Sequence, residues 1–175
     1  MLILAVATIY FLGFHANEVL FSYLEHHRGA HWIFLPAGLR LLSILLLGAK
    51  GAVGIFLGSL LVTWQLGESS LMGHFIEPLI SAGAPMITYY VALRSGLSFN
   101  LKNLSAKLLL VLSLAFATTN ALLHSLWYAS EGIAESFSSS FIVMFVGDLL
   151  GTIIVIYIIR LFLVCVPDRK GKYDA

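Results

Sequence analysis

Along the chain, apolar positions neither alternate nor form a single helical stripe; they run on without interruption. Six such runs, at about 2–24, 32–48, 52–67, 71–93, 105–128 and 138–166, are separated by short segments rich in glycine and charge. In hydrocarbon only a helix or a closed barrel satisfies its own backbone, and barrel strands alternate over about ten residues. Continuous runs of this length therefore predict membrane-spanning helices. The expected fold is all-α, a polytopic transmembrane helical bundle of about six helices. Residues 1–166 form the integral membrane domain and residues 167–175 a short cytoplasmic tail. The second and third runs are near the lower limit of about 17 residues for a span. They join at Gly48-Ala49-Lys50-Gly51, which predicts a helical hairpin.

Composition strengthens this picture. Of 175 residues, 59% are hydrophobic and 11% charged, and mean hydropathy is +0.95. Soluble domains carry about 25% charged residues, so a soluble enzyme, a disordered regulator and a coiled coil are excluded. The formal net charge of +1 leaves no basic surface for nucleic acid. The single cysteine, Cys165, can form neither an internal disulfide nor a cysteine-based zinc site. The start, Met1-Leu2-Ile3-Leu4-Ala5, lacks the basic region of a signal peptide and reads as a retained helix.

Charge also orients the bundle. With the N-terminus in the cytoplasm, Lys50, Arg94, Lys102, Lys107, Arg169, Lys170 and Lys172 fall inside, and Arg28 alone falls outside. Glu25, Glu68, Glu131 and Glu135 also fall outside, and Trp32, Trp64, Trp127 and Tyr128 sit near the outer boundary. Both termini are thus expected in the cytoplasm, where the tail can anchor to anionic lipid or contact a partner.

Ionisable groups inside spans are costly and mark functional candidates. The first run carries His15, Asn17 and Glu18; the second Arg40; the fourth His74 and Glu77; the fifth Asn120 and His124; the sixth Asp148. At about 1.5 Å per residue, these groups fall between midplane and outer boundary and are expected to share one layer. His15 and Glu18, His74 and Glu77, and Asn120 and His124 each project from one helical face. The cheapest arrangement is a polar chamber open to the outside, with Glu18, Arg40, Glu77, Asn120, His124 and Asp148 as candidate ligand-binding residues. Arg40–Asp148 is the preferred ion pair, although Glu18 and Glu77 also compete for the arginine.

Plainer roles stand beside these. Arg40 with one carboxylate can be a structural ion pair, His74 an interfacial residue and Asn120 a helix–helix hydrogen-bonding group. His15, Glu18, Glu77, His124 and Asp148 are candidate metal ligands by donor type, without the spacing of a metal motif. No cofactor is identifiable. His26, His27 and His31 flank Arg28 in the first outer loop, where they sense external pH, bind a transition metal, or form a solvated loop. Gly54–Gly58 and Gly147–Gly151 are GxxxG patterns that let helix backbones approach, and Pro36 and Pro85 are expected to interrupt their helices.

Several segments resemble the membrane-associated sensor domain known as MASE, first type. Trp32-Ile33-Phe34-Leu35-Pro36-Ala37-Gly38 opens a helix that leads through Leu47-Gly48-Ala49-Lys50-Gly51 to Gly54-Ile55-Phe56-Leu57-Gly58. Phe145-Val146-Gly147-Asp148-Leu149-Leu150-Gly151 is similar to the family's late Gly-Asp motif. Glu77-Pro78-Leu79-Ile80-Ser81-Ala82-Gly83-Ala84 resembles its acidic, small-residue helix. The resemblance covers about 32–166, and Pro36, Gly38, Glu77 and Asp148 fall on its motifs. It implies a sensory input module in a bacterial inner membrane. The chain departs from it in having about six spans instead of eight and no output domain.

Two functions follow as expectations. The first is a sensory or regulatory module that binds a small ligand, ion or proton in an outward-facing cavity and signals to a separate membrane or cytoplasmic partner. The alternative is the substrate-binding subunit of a small-molecule transporter, with Ala5 and Ala7 as a faint docking face. An intramembrane enzyme ranks last, because no nucleophile–base motif is present.

Overall fold

The computed structural model describes residues 1–27, 29–67, 70–96, 105–133 and 136–165, with only the backbone for 163–165. Arg28, Glu68, Lys102, Glu135, the tail 167–175 and the side chain of Cys165 lie outside the described residues.

Six helices follow the six apolar runs: α1 (Leu2–Phe21), α2 (Pro36–Leu47), α3 (Ala49–Leu66), α4 (Gly73–Arg94), α5 (Ala106–Ser130) and α6 (Phe137–Cys165). Four segments, Leu2–Leu24, Ala49–Leu66, Ala106–Ser130 and Phe137–Phe162, are long and apolar enough to cross a membrane. Their outer faces expose large apolar side chains such as Leu4, Leu61, Val111 and Phe162, which water would penalise and lipid accepts. The chain is an integral membrane protein. α4 is long enough to cross, but its glycines, prolines, serines, His74 and Glu77 make it the more polar helix.

The second run departs from expectation. Trp32 to Leu35 are non-helical, and α2 begins at Pro36, which stands in its first turn and does not interrupt it. Proline suits that position because its missing N–H would be unpaired there anyway. At 12 residues, α2 is about 18 Å long, too short for a hydrocarbon core of about 30 Å. It nevertheless lies at the centre, packed against all five other helices. Seven of its residues are buried, among them Arg40.

The chain reaches this central position through a small hairpin. A 3-10 turn (Ser22–Leu24) leads into strands β1 (Glu25–His27) and β2 (Ala30–His31), paired antiparallel with Glu25 opposite His31. From there the non-helical stretch 32–35 runs along α6. Cβ atoms at Gly147 and Gly151 would collide with the carbonyl oxygens of His31 and Phe34, and the Phe34 amide donates to Gly147 O at 3.1 Å. The α6 glycines thus admit irregular backbone where the start of a second helix was expected. Asn17, fully buried on α1, holds the entry to α2 by accepting from the Leu35 amide at 2.9 Å. Non-helical backbone at this depth is tolerated because it is enclosed by protein.

The other glycine pattern behaves as expected. Gly54 and Gly58 of α3 face Val6, Ala7 and Tyr10 of α1, so the two helices pack closely. Ala7 is buried in that contact, so it offers no docking face to a partner. The α2–α3 hairpin turns at Gly48, whose φ of 55° and ψ of −130° exclude a side chain. In α4, Pro78 leaves the His74 carbonyl without its helical donor. Thr63 of α3 supplies one, Oγ1 to His74 O at 3.2 Å. Pro85 also lies within α4, which runs on past both prolines.

Candidate functional site

A cavity of about 220 Å³ opens beside the hairpin and runs inward between the helices. Glu18, Arg40, Glu77, Asn120, His124 and Asp148 all line it. Within the expected outer half of the bundle they spread over a range of depths. Counted from the hairpin-end terminus of each helix at about 1.5 Å per residue, Glu18 and Glu77 lie roughly 5 Å deep and His124 about 9 Å. Asn120, Asp148 and Tyr10 lie roughly 15–17 Å deep. The site is a funnel, acidic at its mouth and mixed in charge at its floor.

At the floor, Arg40 is 5% exposed. Its Nε and Nη2 donate to the Tyr10 hydroxyl at 3.2 and 2.7 Å. Its Cζ lies 5.4 Å from the Tyr10 ring centroid and 5.0 Å from that of Phe34, within cation–π range. Asp148, 2% exposed, accepts from Asn120 Nδ2 at 2.6 Å. The preferred Arg40–Asp148 pair is therefore not formed: among the described residues no Arg40–carboxylate contact within 4 Å appears. The tyrosine hydroxyl takes two arginine donors, the Asn120 amide takes one carboxylate oxygen, and both charged groups line the same cavity. An arginine and a carboxylate facing a shared cavity without touching leave room for a polar guest that bonds to both.

His124 sharpens the point. It is 3% exposed, lines the cavity, and neither ring nitrogen has a hydrogen-bond partner among the described residues. Asn120 Oδ1 is likewise buried and without a partner among them. Buried imidazole normally finds a partner, because an unpaired polar group in low dielectric costs about 1–3 kcal/mol. These groups can hydrogen-bond a water or a polar guest in the cavity.

Other sequence candidates go elsewhere. His15, three residues from Glu18, turns away to pair with Gln65 at 3.0 Å. His74 stacks on Trp64 at 4.9 Å between ring centroids while Glu77 faces the cavity. His26 and His27 bond to Ser139 and Ser140 at 2.7 and 2.9 Å. The five metal candidates, His15, Glu18, Glu77, His124 and Asp148, do not converge as a set; only Glu18 belongs to a cluster with metal-ligand spacing among the described residues, joined by Glu25 and His31.

His31 is the largest departure from the solvated-loop reading of the three histidines. It is 3% exposed, stacked on Phe34 at 5.6 Å and aimed into the cavity mouth. Burial pushes its imidazole below the ordinary value, against the opposing pull of the Glu25 carboxylate, so it is neutral near pH 7. Tyr10, Glu25 and Tyr128 also line the cavity without having been singled out. Only the hairpin register, with Gly29 at φ 79° in its turn, carried a sequence signal for Glu25 and His31, since a short glycine turn pairs the flanking residues. No protein-family model, curated protein or solved structure matches the chain.

Proposed function

We propose that the chain is a membrane-embedded sensory module whose outward-facing cavity binds a small polar ligand or ion and signals to a separate partner. The observation that carries this is the cavity, which buried Arg40 and Asp148 both line together with His124, whose ring nitrogens have no hydrogen-bond partner among the described residues. A guest with hydrogen-bonding or charged groups completes those bonds. A volume of about 220 Å³ is below the roughly 300–1,000 Å³ of sites for drug-sized ligands, so the guest is small.

The central helix supplies the route of response. Arg40 sits on α2, which touches every other helix and ends at the Gly48 turn on the far side of the bundle. A ligand that binds two packings of α2 with different affinity shifts their balance and alters the cytoplasmic face. The MASE-like resemblance supports the same reading, because its two main motifs touch: Phe34 bonds to Gly147, and Gly38 lies against Thr152 and Val155. Six passes through a bacterial inner membrane, the second made by the non-helical stretch 32–35 together with the short α2, and both termini cytoplasmic, complete the proposal.

Native mass spectrometry of the purified chain tests the site. Wild type is expected to carry a small-molecule or ion adduct that Asp148→Asn loses, with helical content and monodispersity unchanged. No adduct on wild type, or one retained by both Asp148→Asn and His124→Ala, counts against the reading. Orientation is tested separately on a Cys165→Ser background. Cysteine at Ser136 should label with a membrane-impermeant maleimide in intact cells, and cysteine at Ser95 only after the membrane is opened. The reverse pattern would invert the topology.

A further inference from the structure

At the mouth of the cavity three donors from separate segments converge. Glu18 comes from the last turn of α1, Glu25 from β1 and His31 from β2. We infer that these three residues form a site for a divalent transition-metal ion, which ties the hairpin to α1 across the cavity entrance.

The spacing is that of a ligand set and not of a hydrogen-bonded cluster. His31 Nε2 lies 3.4 Å from Glu18 Oε1 and 3.8 Å from Glu25 Oε1, and the three donor atoms all fall within 4.8 Å of one another. A tetrahedral zinc with bonds of about 2.0–2.2 Å holds its donors roughly 3.3–3.6 Å apart. Small side-chain rotations close the remaining gap. Nδ1 of His31 has no hydrogen-bond partner among the described residues, and the residue is only 3% exposed. Glu18 Oε1 is also buried and, among the described residues, without a hydrogen-bond partner. Two carboxylates pressed together beside an imidazole repel each other unless a cation lies between them.

The donor chemistry selects the metal class. One imidazole and two carboxylates suit zinc and its first-row neighbours, whereas magnesium and calcium prefer oxygen alone. Supporting contacts are present too. The Gly29 amide donates to Glu25 Oε1 at 3.1 Å and orients that carboxylate, and the stack on Phe34 fixes the imidazole plane. Such supports are characteristic of metal centres. Three protein ligands leave coordination positions open towards the cavity, where water completes the sphere.

The test is calorimetric titration of the EDTA-stripped full chain in detergent with zinc chloride, with metal content read by mass spectrometry. One zinc per chain is expected, and excess magnesium should not displace it. Glu18→Gln and His31→Gln should each weaken binding at least about tenfold. His26→Ala, whose histidine bonds to Ser139 on the exposed side, should not. Zinc should also raise the melting temperature of wild type and leave that of Glu18→Gln unmoved. This last readout needs only a folded, isosteric variant. No zinc binding by wild type, or binding retained by both Glu18→Gln and His31→Gln, or equal loss in His26→Ala, would overturn the inference. It does not rest on the sensory reading: the zinc titration can fail while the adduct on the cavity floor stands, and the converse.

Discussion

Gly151→Val is expected to destabilise the protein by at least about 3 kcal/mol, more than the usual overpacking penalty of about 1–3 kcal/mol. The added Cβ would collide with the Phe34 carbonyl and lie 2.9 Å from the Leu35 amide. Both obstacles are backbone, so neither can swing aside as a flexible side chain would. Relief requires the stretch 31–35 to lift off α6, and that stretch carries the start of α2 with it. Through the Leu35–Asn17 bond the displacement reaches α1 as well. For a chain of this size the cost corresponds to a fall of roughly 6–12 °C in melting temperature, readable by thermal shift in detergent. Gly83→Ala is the matched control, since nothing lies within 4 Å of a Cβ there. In mid-helix it should gain about 0.4–1 kcal/mol. If Gly151→Val melts within 2 °C of wild type on that roughly 6–12 °C scale, the packing of the 32–35 backbone against α6 is wrong.

Arg40→Met should cost about 3–5 kcal/mol, the range for stripping one partner from a buried charged arrangement. The substitution keeps an unbranched apolar stem. It removes two donors to the Tyr10 hydroxyl and the cation that balances Asp148 across the cavity. Arg40→Lys should recover little, because an ammonium cannot reproduce the guanidinium fork over two rings. The informative variant is the double one. If the two charges are coupled through the cavity, Arg40→Met with Asp148→Asn should be more stable than the sum of the single effects implies. The expected departure from additivity is about 1 kcal/mol, against the 0.3–0.5 kcal/mol scatter of independent sites. Additive losses in equilibrium unfolding would mean that Arg40 serves only its bond to Tyr10, and the cavity would lose its charged floor as a functional unit.

The two experiments bear on one feature. A short helix can stand at the centre of a membrane bundle only if enclosed backbone brings the chain to its start and a neighbour satisfies that start. Asn17 and the α6 glycines do both. Arg40 is then held away from lipid, facing the cavity, with the surrounding spans as its insulation.

How much of this could be read beforehand differs by element. The six apolar runs located six helices, because partition into lipid is a property of each residue's own transfer energy. Trp32 to Leu35 misled in turn: they are apolar and buried, but apolarity reports burial and not helicity, and the proline after them marked a helix start. The polar candidates were also legible, since ionisable groups within spans are rare enough to stand out. Their meeting round one cavity was expected as well, and all six ligand-binding candidates line it; which of them bond to one another was not legible. Arg40 was assigned to a carboxylate by charge alone, whereas an uncharged tyrosine eleven residues from the end of α1 takes its hydrogen bonds.

His31 shows the boundary most clearly. Neighbours in sequence placed it with His26 and His27, but a two-stranded register turned it inward against Glu18 while the other two bond to serines of α6. Composition and spacing thus settled that the chain enters lipid, where it turns and which polar groups it carries into the bilayer. Which helix faces meet and which charge finds which partner depended on close backbone approach at a few glycines. The α6 glycines meet residues more than a hundred positions away, Gly147 at His31 and Gly151 at Phe34, a distance over which hydropathy and periodicity carry no information.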